Sequence, residues 1–288
     1  MGVNIRTIKE IKLFISGDLN GFYPEPEINA LSGIILGNVL KFSGLRNLAL
    51  PETRISQKQV SRIISICREL KTGKPLQYIL GYTNFYNCMI RLNSDTMIPR
   101  PETEELVDLV IKENRGFTGS ALDIGTGSGC IAIAIALNLP GSAVTGIDIS
   151  EGALLKAKEN AGLNKVQVSF IRADIFNIDP GLFSGTDIIL SNPPYIRESE
   201  KKLMSRNVLD YEPHTALFVD DSDPLVYYSA ITRLASAILT PGGSLYFEIN
   251  EALGSQISFL LKSAGYSSVR IIKDINGKDR IIKGIHYE

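Results

Sequence analysis

Apolar residues near the start of the chain recur every three or four positions, which is the spacing of one face of a helix. The segment from Ile5 to about Ile15 reads as a first helix. Pro24 and Pro26 open a second, with Ile28, Leu31, Ile34, Ile35 and Val39 as its apolar stripe. A third begins at a Ser-x-x-Gln capping box, Ser56 to Gln59, and carries Val60, Ile63, Ile64, Cys67 and Leu70. Gly73 and Pro75 end it, the one by permitting a left-handed turn, the other by lacking an N–H. From Leu76 to Leu92 the pattern changes. Tyr78, Ile79, Tyr82, Phe85, Tyr86 and Ile90 favour strands, and Gly81 and Asn84 favour turns, so a short β-hairpin is predicted.

After the rigid run Ile98-Pro99-Arg100-Pro101-Glu102, Pro101 starts a helix through Leu106, Val107 and Val110. Strands and helices then alternate. Ser120–Ile124, Ala143–Ile147, Val166–Ile171, Thr186–Ser191, Gly243–Ile249, Ser268–Lys273 and Ile281–His286 read as strands, and Cys130–Leu137 and Gly152–Ala161 as helices. Such alternation predicts an α/β fold with a mainly parallel, doubly wound sheet. Three segments follow: residues 1–74 all-helical, 75–98 a hairpin linker, and 99–288 the α/β domain.

Composition narrows the field. With 288 residues, 44% hydrophobic and 21% charged, the chain can bury an ample core. A formal net charge of -1 does not indicate a globally basic surface for gripping nucleic acid. Cys67, Cys88 and Cys130 form no Cys-x-x-Cys pair, and the two histidines, His214 and His286, lie far apart, so no metal site is expected. Buried thiols in a reducing cytoplasm are the expectation. The first residues, MGVNIRTIKEIKLF, lack the unbroken apolar core of a signal peptide, and Arg6 stands where a myristoylation motif needs Ser or Thr. No apolar run reaches membrane-span length.

The first chemical motif is Asp123-Ile124-Gly125-Thr126-Gly127-Ser128-Gly129, between a strand and a helix. Glycines there let a ligand approach the backbone. Asp148 ends the next strand, where a carboxylate can accept both hydroxyls of a ribose. The third strand leads to Asp174, which can accept from an adenine amino group, with Ile175 and Phe176 to cover the ring. A ligand with positive charge and no phosphate suits these acids, and S-adenosyl-L-methionine is one. The pyrophosphate of NAD would meet repulsion from Asp123.

The second motif is Asn192-Pro193-Pro194-Tyr195, directly after the strand Thr186–Ser191. Two prolines fix the backbone and remove two donors. The Asn192 side-chain oxygen and the Pro193 carbonyl can each accept one N–H of an NH₂ group, and Tyr195 offers a flat face for a planar group. Methylation of a planar nitrogen needs this, because its lone pair is delocalised until both N–H bonds are held. The catalytic candidates are Asn192, Pro193 and Tyr195, and Pro194 joins them in binding substrate. Orientation and electrostatics carry the reaction without a strong base.

These residues resemble a Rossmann-like class I methyltransferase acting on nitrogen. Pro75-Leu76-Gln77-Tyr78-Ile79-Leu80-Gly81, Ile98-Pro99-Arg100-Pro101-Glu102-Thr103-Glu104, Pro26 to Ala30, Glu212-Pro213 with Ala216-Leu217, and Asp274 to Arg280 narrow the resemblance to the peptide chain release factor glutamine N5-methyltransferase family. That resemblance implies a five-helix N-terminal domain for substrate recognition, a β-hairpin linker and a seven-stranded catalytic domain. It implies S-adenosyl-L-methionine held by Gly125 through Gly129, Asp148 and Asn192, with Asp174 and Ile175 beside the adenine. It implies a bacterial class 1 release factor as partner, methylated on the glutamine of its Gly-Gly-Gln loop by a cytoplasmic enzyme, expected to be monomeric. Three positions depart from the pattern: Ile175 where an aromatic is frequent, Asn250 after Glu248-Ile249 where glycine is frequent, and Ile275-Asn276 in place of Tyr-Gly.

Asn-Pro-Pro-Tyr also marks adenine N6-methyltransferases of DNA or RNA. A base-modifying enzyme needs a basic region to grip phosphates, and none stands out here. A cofactor-binding protein without catalysis is the third reading, and intact Asp148 and Asn192–Tyr195 argue against it. Arg100 is a candidate for a cofactor carboxylate or a substrate loop, or a surface arginine. Arg197, Lys201, Lys202 and Arg206, interleaved with Glu198 and Glu200, read as a solvated loop, and Glu248 as a structural carboxylate.

Overall fold

The computed structural model describes residues 5–41 and 51–287 and divides them between two units. The first holds the helices α1 (Ile8–Leu19), α2 (Glu25–Leu40), α3 (Gln57–Leu70) and α4 (Leu76–Leu80). The resemblance implies five helices in this part; these are the four among the described residues, and residues 42–50 lie outside them. Helix α1 starts after Thr7, later than Ile5, because Thr7 and Glu10 form a reciprocal capping box. In α2 the stripe is rotated from expectation: Leu36 is buried with Ile28 and Ile35, and Ile34 is exposed. The Ser56–Gln59 capping box opens α3 as predicted. Leu76–Leu80 is a helical turn rather than the start of a hairpin, closed by Ile79 N donating to Pro75 O and stopped by Gly81 at positive φ. One apolar cluster running from Ile5 to Ile79 holds the unit together.

The second unit starts at Gly81. Strands β1 (Tyr82–Phe85) and β2 (Cys88–Arg91) form the predicted hairpin. Its turn lies at Tyr86-Asn87, both at positive φ, and not at Asn84, which is paired within β1. Two positive-φ residues give the turn whose twist matches that of the flanking strands. Next come α5 (Pro101–Glu113), β3 (Ser120–Ile124), α6 (Cys130–Asn138), β4 (Ala143–Asp148), α7 (Glu151–Asn164), β5 (Ser169–Arg172) and β6 (Thr186–Ser191). After β7 (Ile196–Arg197) the short helix α8 (Arg206–Tyr211) groups with the helical unit, where the Tyr211 hydroxyl donates to Thr72 O at 3.2 Å. The chain continues through β8 (Phe218–Val219), α9 (Val226–Ile238), β9 (Leu239–Glu248), α10 (Gly254–Ser263), β10 (Ser267–Lys273) and β11 (Asp279–Ile285).

The main sheet has seven strands in the order β10-β11-β9-β6-β3-β4-β5, parallel except for β11. Leu122 and Ile124 of β3, Ile189 of β6 and Leu245 and Phe247 of β9 share a core with α9 and α10. Alternation along β3 sends Asp123 to the other face, where it meets the start of α6. The chain adds β4 and β5 on one side of β3, then crosses to add β6 on the other. That reversal opens a crevice at the carboxyl ends of β3 and β6, where ligands of doubly wound sheets bind. No described helix is long and apolar enough to cross a membrane.

Candidate active site

The crevice holds a cavity of about 360 Å³. Three loops build its floor. In the turn after β3, Gly125, Gly127 and Gly129 all take positive φ, and the Gly125 and Thr126 amides both donate to Ile147 O at 2.9 Å. Asp123, fully buried, anchors the turn: its Oδ2 accepts from Thr126 Oγ1 at 2.6 Å and from Ala132 N at 3.2 Å, while its Oδ1 has no partner. Burial pushes this carboxyl up to about 7.

Asp148, at the end of β4, accepts Gly127 N on Oδ2 at 2.8 Å and Ser150 N on Oδ1 at 2.9 Å. Each oxygen keeps a lone pair for a ligand hydroxyl. Burial raises its pKa, against the pull of those N–H donors. Asp174 lines the cavity too, but its oxygens are engaged in their own turn, with Phe176 N at 3.0 Å and Asn177 Nδ2 at 2.7 Å. Ile175 and Phe176 stand beside it in the wall, and Phe176 packs on Tyr227 with ring centroids 5.2 Å apart.

Asn192, Pro193 and Pro194 form another part of the wall. Asn192 Nδ2 donates to Thr103 Oγ1 at 3.2 Å, and Thr103 Oγ1 donates to Glu248 Oε2 at 2.6 Å. The other Glu248 oxygen accepts the Tyr195 hydroxyl at 2.9 Å, and the Glu248 carbonyl accepts Tyr228 OH at 3.1 Å. Tyr195 packs its ring on the sheet core, whereas the other three residues of its motif face the cavity. Burial raises the Glu248 pKa, opposed by the hydroxyls of Thr103 and Tyr195.

Gly125 through Ser128, Asp148, Asp174, Ile175 and the Asn-Pro-Pro run therefore meet at one cavity, whereas Gly129 faces away from it, packed against Ala157, Ile133 and Phe170. Sequence reasoning passes over several contributors. Tyr227 and Ile231 enter the wall from α9, which has no motif. Asn160 of α7, fully buried, donates to Ser128 O and to Arg91 O and so ties the turn to the hairpin. Thr103 lies within the Pro-rich run, where its spacing gives no hint of Asn192. Arg100 is not a free surface arginine: it forms an ion pair with buried Glu212, which also accepts Ile98 N. This pins the segment leading into Pro213, Thr215 and Ala216, which also line the cavity. Arg197 and Lys201 pair with Glu200 and Glu198, as in a solvated loop. Asn250 donates to Tyr195 O at 3.2 Å and to Glu200, fastening the motif from behind. Cys67, Cys88 and Cys130 are all buried and free.

The described cavity lining carries three carboxylates, Asp95, Asp148 and Asp174, and no Lys, Arg or His. It suits a cationic or neutral ligand and disfavours a phosphate. No grouping of potential metal ligands occurs among the described residues.

Comparison with known proteins agrees with this geometry. Residues 103–210 match the family model described as methyltransferase small domain, and residues 19–81 match the PrmC N-terminal domain. The chain is 44% identical over 269 residues to a release factor glutamine methyltransferase of Flavobacterium psychrophilum, covering 92% of this chain and 94% of that one. It is 44% identical over 275 residues to the protein of the same name from Bacteroides thetaiotaomicron, covering 96% and 99%. A methyltransferase crystal structure from Pyrococcus furiosus shares the fold, with a TM-score of 0.52 at 18% identity over 81% of this chain and 100% of that one.

Proposed function

The chain belongs to the release factor glutamine methyltransferase family, and we propose that it transfers a methyl group from S-adenosyl-L-methionine to the side-chain amide nitrogen, N5, of the Gly-Gly-Gln glutamine in a bacterial class 1 release factor. The observation that carries this reading is the position of Asn192. It sits at the crevice between β3 and β6, beside a cavity without a cationic side chain, with its Nδ2 already committed to Thr103. Its Oδ1 is the end left to accept an N–H.

S-adenosyl-L-methionine fits the residues present. Asp148 keeps lone pairs for ribose hydroxyls, and the acidic lining tolerates a sulfonium and an ammonium. Gly125, Thr126, Gly127 and Ser128 would let it lie against the backbone, with Gly129 packing the turn onto Ala157 behind them, and Asp174, Ile175 and Phe176 would border its adenine. When bound, it supplies an electrophilic methyl on a positively charged sulfur. The chain's own task is orientation. Asn192 Oδ1 and the Pro193 carbonyl each take one N–H of the substrate amide, so the nitrogen lone pair turns out of conjugation and toward the cavity. Pro193 and Pro194 keep the carbonyl fixed, because neither has an N–H to compete for it. Thr103 and Glu248 hold the asparagine, and Tyr195 is locked behind the motif by its hydroxyl. Such pre-arranged acceptors stabilise the charge that grows on the nitrogen as its proton becomes acidic. We assign the helical segment, residues 1–74, to gripping the body of the factor.

The test is transfer of labelled methyl to a purified bacterial release factor, to the same factor with its Gly-Gly-Gln glutamine changed to alanine, and to double-stranded DNA. Label on the intact factor alone is expected. Label on DNA alone would assign the protein to the adenine methyltransferases.

A further inference from the structure

The two ends of an amide side chain look alike, and only the partners' hydrogens decide which way it faces. Counting those hydrogens from the buried end settles Asn192. Glu248 is 1% exposed at the end of β9. As a carboxylate it only accepts: the Tyr195 hydroxyl on Oε1 and the Thr103 hydroxyl on Oε2. A threonine hydroxyl has a single hydrogen. With that hydrogen on Glu248, Thr103 Oγ1 can only accept from Asn192, 3.2 Å away. Asn192 must therefore turn Nδ2 to Thr103 and leave Oδ1 for the substrate.

We propose that Glu248 is a positioning residue which, through Thr103, sets the polarity of the Asn192 amide and so makes the site an acceptor for an NH₂ group. The proposal rests on the glutamine reading given above. A carboxylate buried only for packing would not need this directionality. Here the three residues come from separate elements, the first turn of α5, the segment after β6 and the end of β9, and each supplies one link.

The directionality can be reversed. In Glu248→Gln the buried Tyr195 hydroxyl still needs an acceptor, so the new side chain keeps its oxygen there and turns its NH₂ to Thr103. The Thr103 hydrogen is released and swings to Asn192, whose Oδ1 then turns inward. Nδ2 faces the substrate NH₂, donor against donor. In Asn192→Asp two carboxylates compete for the one Thr103 hydrogen. Combining Asn192→Asp with Glu248→Gln restores an unbroken chain in the opposite sense, from the amide through Thr103 to the carboxylate, and leaves an acceptor oxygen for the substrate.

The experiment measures kcat and KM for methyl transfer to the release factor, with S-adenosyl-L-methionine affinity by calorimetry and the melting temperature of each variant. Glu248→Gln is expected to lower kcat about 10- to 100-fold, the worth of one misdirected hydrogen bond at the reacting group, at nearly unchanged cofactor affinity. The double variant is expected to exceed Asn192→Asp in kcat/KM by about tenfold. A purely structural glutamate predicts instead that the two losses multiply, and that result, or a Glu248→Gln enzyme as fast as wild type, overturns the proposal. Should Glu248→Gln fail to fold, Thr103→Ser against Thr103→Val decides. The hydroxyl-bearing variant must be faster by about tenfold at equal cofactor affinity, and equal rates overturn the proposal. A wild-type enzyme that leaves the release factor unlabelled defeats the glutamine reading itself, and this proposal with it. Active wild type with the contrary variant pattern defeats this proposal alone.

Discussion

Gly146 lies on β4 opposite Asp123 of β3, under the glycine turn. A methyl group added there would stand 2.7 Å from Thr126 Oγ1 and 2.9 Å from two ring atoms of Phe170. Phe170 is half-buried on the edge strand β5, and its ring is a side chain that can shift. Thr126 has none without giving up its bond to Asp123 Oδ2. Asp123 already has one oxygen without a partner, so the loss would leave a buried carboxyl with only Ala132 N. Leaving a buried polar group without its partner costs about 1–3 kcal/mol, and overpacking costs about 1–3 kcal/mol. Gly146→Ala should therefore destabilise by roughly 2–6 kcal/mol, or about 5–20 °C in melting temperature for a domain of this size. Because Thr126 belongs to the turn proposed to lie beneath the cofactor, affinity for S-adenosyl-L-methionine should also fall at least about tenfold. Thermal melting without ligand and calorimetric titration of the cofactor measure the two effects. The sign is itself diagnostic, since a glycine-to-alanine change in a strand with room to spare stabilises by about 0.4–1 kcal/mol. A variant as stable as wild type, or more so, with unchanged affinity would show that Thr126 is not wedged between Gly146 and Asp123.

Asp148→Asn can accept with one end only, so either Gly127 N or Ser150 N loses its acceptor along with the proposed ribose contact; cofactor affinity should drop about 10- to 100-fold by calorimetry, and an unchanged value would remove Asp148 from the cofactor site. Asp123 is held at about 7 by burial, against an ordinary 3.8, so between those values the native state keeps a proton that the unfolded chain has lost. Its contribution to stability is then full below the unfolded value, declines as pH rises toward 7, and stays lost above it. Urea melts of wild type and Asp123→Asn across pH 4 to 8 should differ by that slope, and parallel curves would refute the assignment. Burial pushes the thiols of Cys67 and Cys88 up to about 11 and that of Cys130 to about 12. A thiol reagent at neutral pH should therefore label none of them promptly in the folded protein and all three in denaturant, and rapid native labelling of any would contradict its burial.

Where a segment's own composition decides its structure, the sequence was readable. Thr186–Ser191 and Ser120–Ile124 match their predicted strands residue for residue, because each is a short apolar run bounded by turn residues. Ser56 and Gln59 announce α3 because a capping box is local chemistry. Errors fall where local preferences are nearly balanced. Tyr78 and Ile79 favour strands, yet Pro75 starts a helical turn that Gly81 stops. The hairpin turn falls on Tyr86-Asn87, where a tyrosine at positive φ defeats the expectation that Asn84 would bend the chain. Strand β5 begins at Ser169, three residues after the first apolar residue that suggested it, because only Ser169–Arg172 has a partner on β4.

The site divides along the same line. Gly125 to Ser128, Asp148 and Asn192 to Pro194 could be placed at the cavity in advance because each stands at a fixed offset from the end of a strand, and parallel strands bring all those ends to one edge. Nothing at such an offset marks Thr103 or Asn160, and Glu248, although it ends β9, carries no motif that ties it to Asn192. Their roles exist only once α5, α7 and β9 pack against the motif loops. The difference matters chemically. A linear motif can say that an asparagine stands at the crevice, since that follows from where β6 stops. Whether this asparagine offers an oxygen or an NH₂ depends on a hydrogen held by a threonine 89 positions away and on a carboxylate 145 positions from that threonine. The presence of the asparagine is a property of the strand end, while its polarity is a property of the packed core behind it. Substitutions in that core can therefore silence the site while every residue of the motif remains in place.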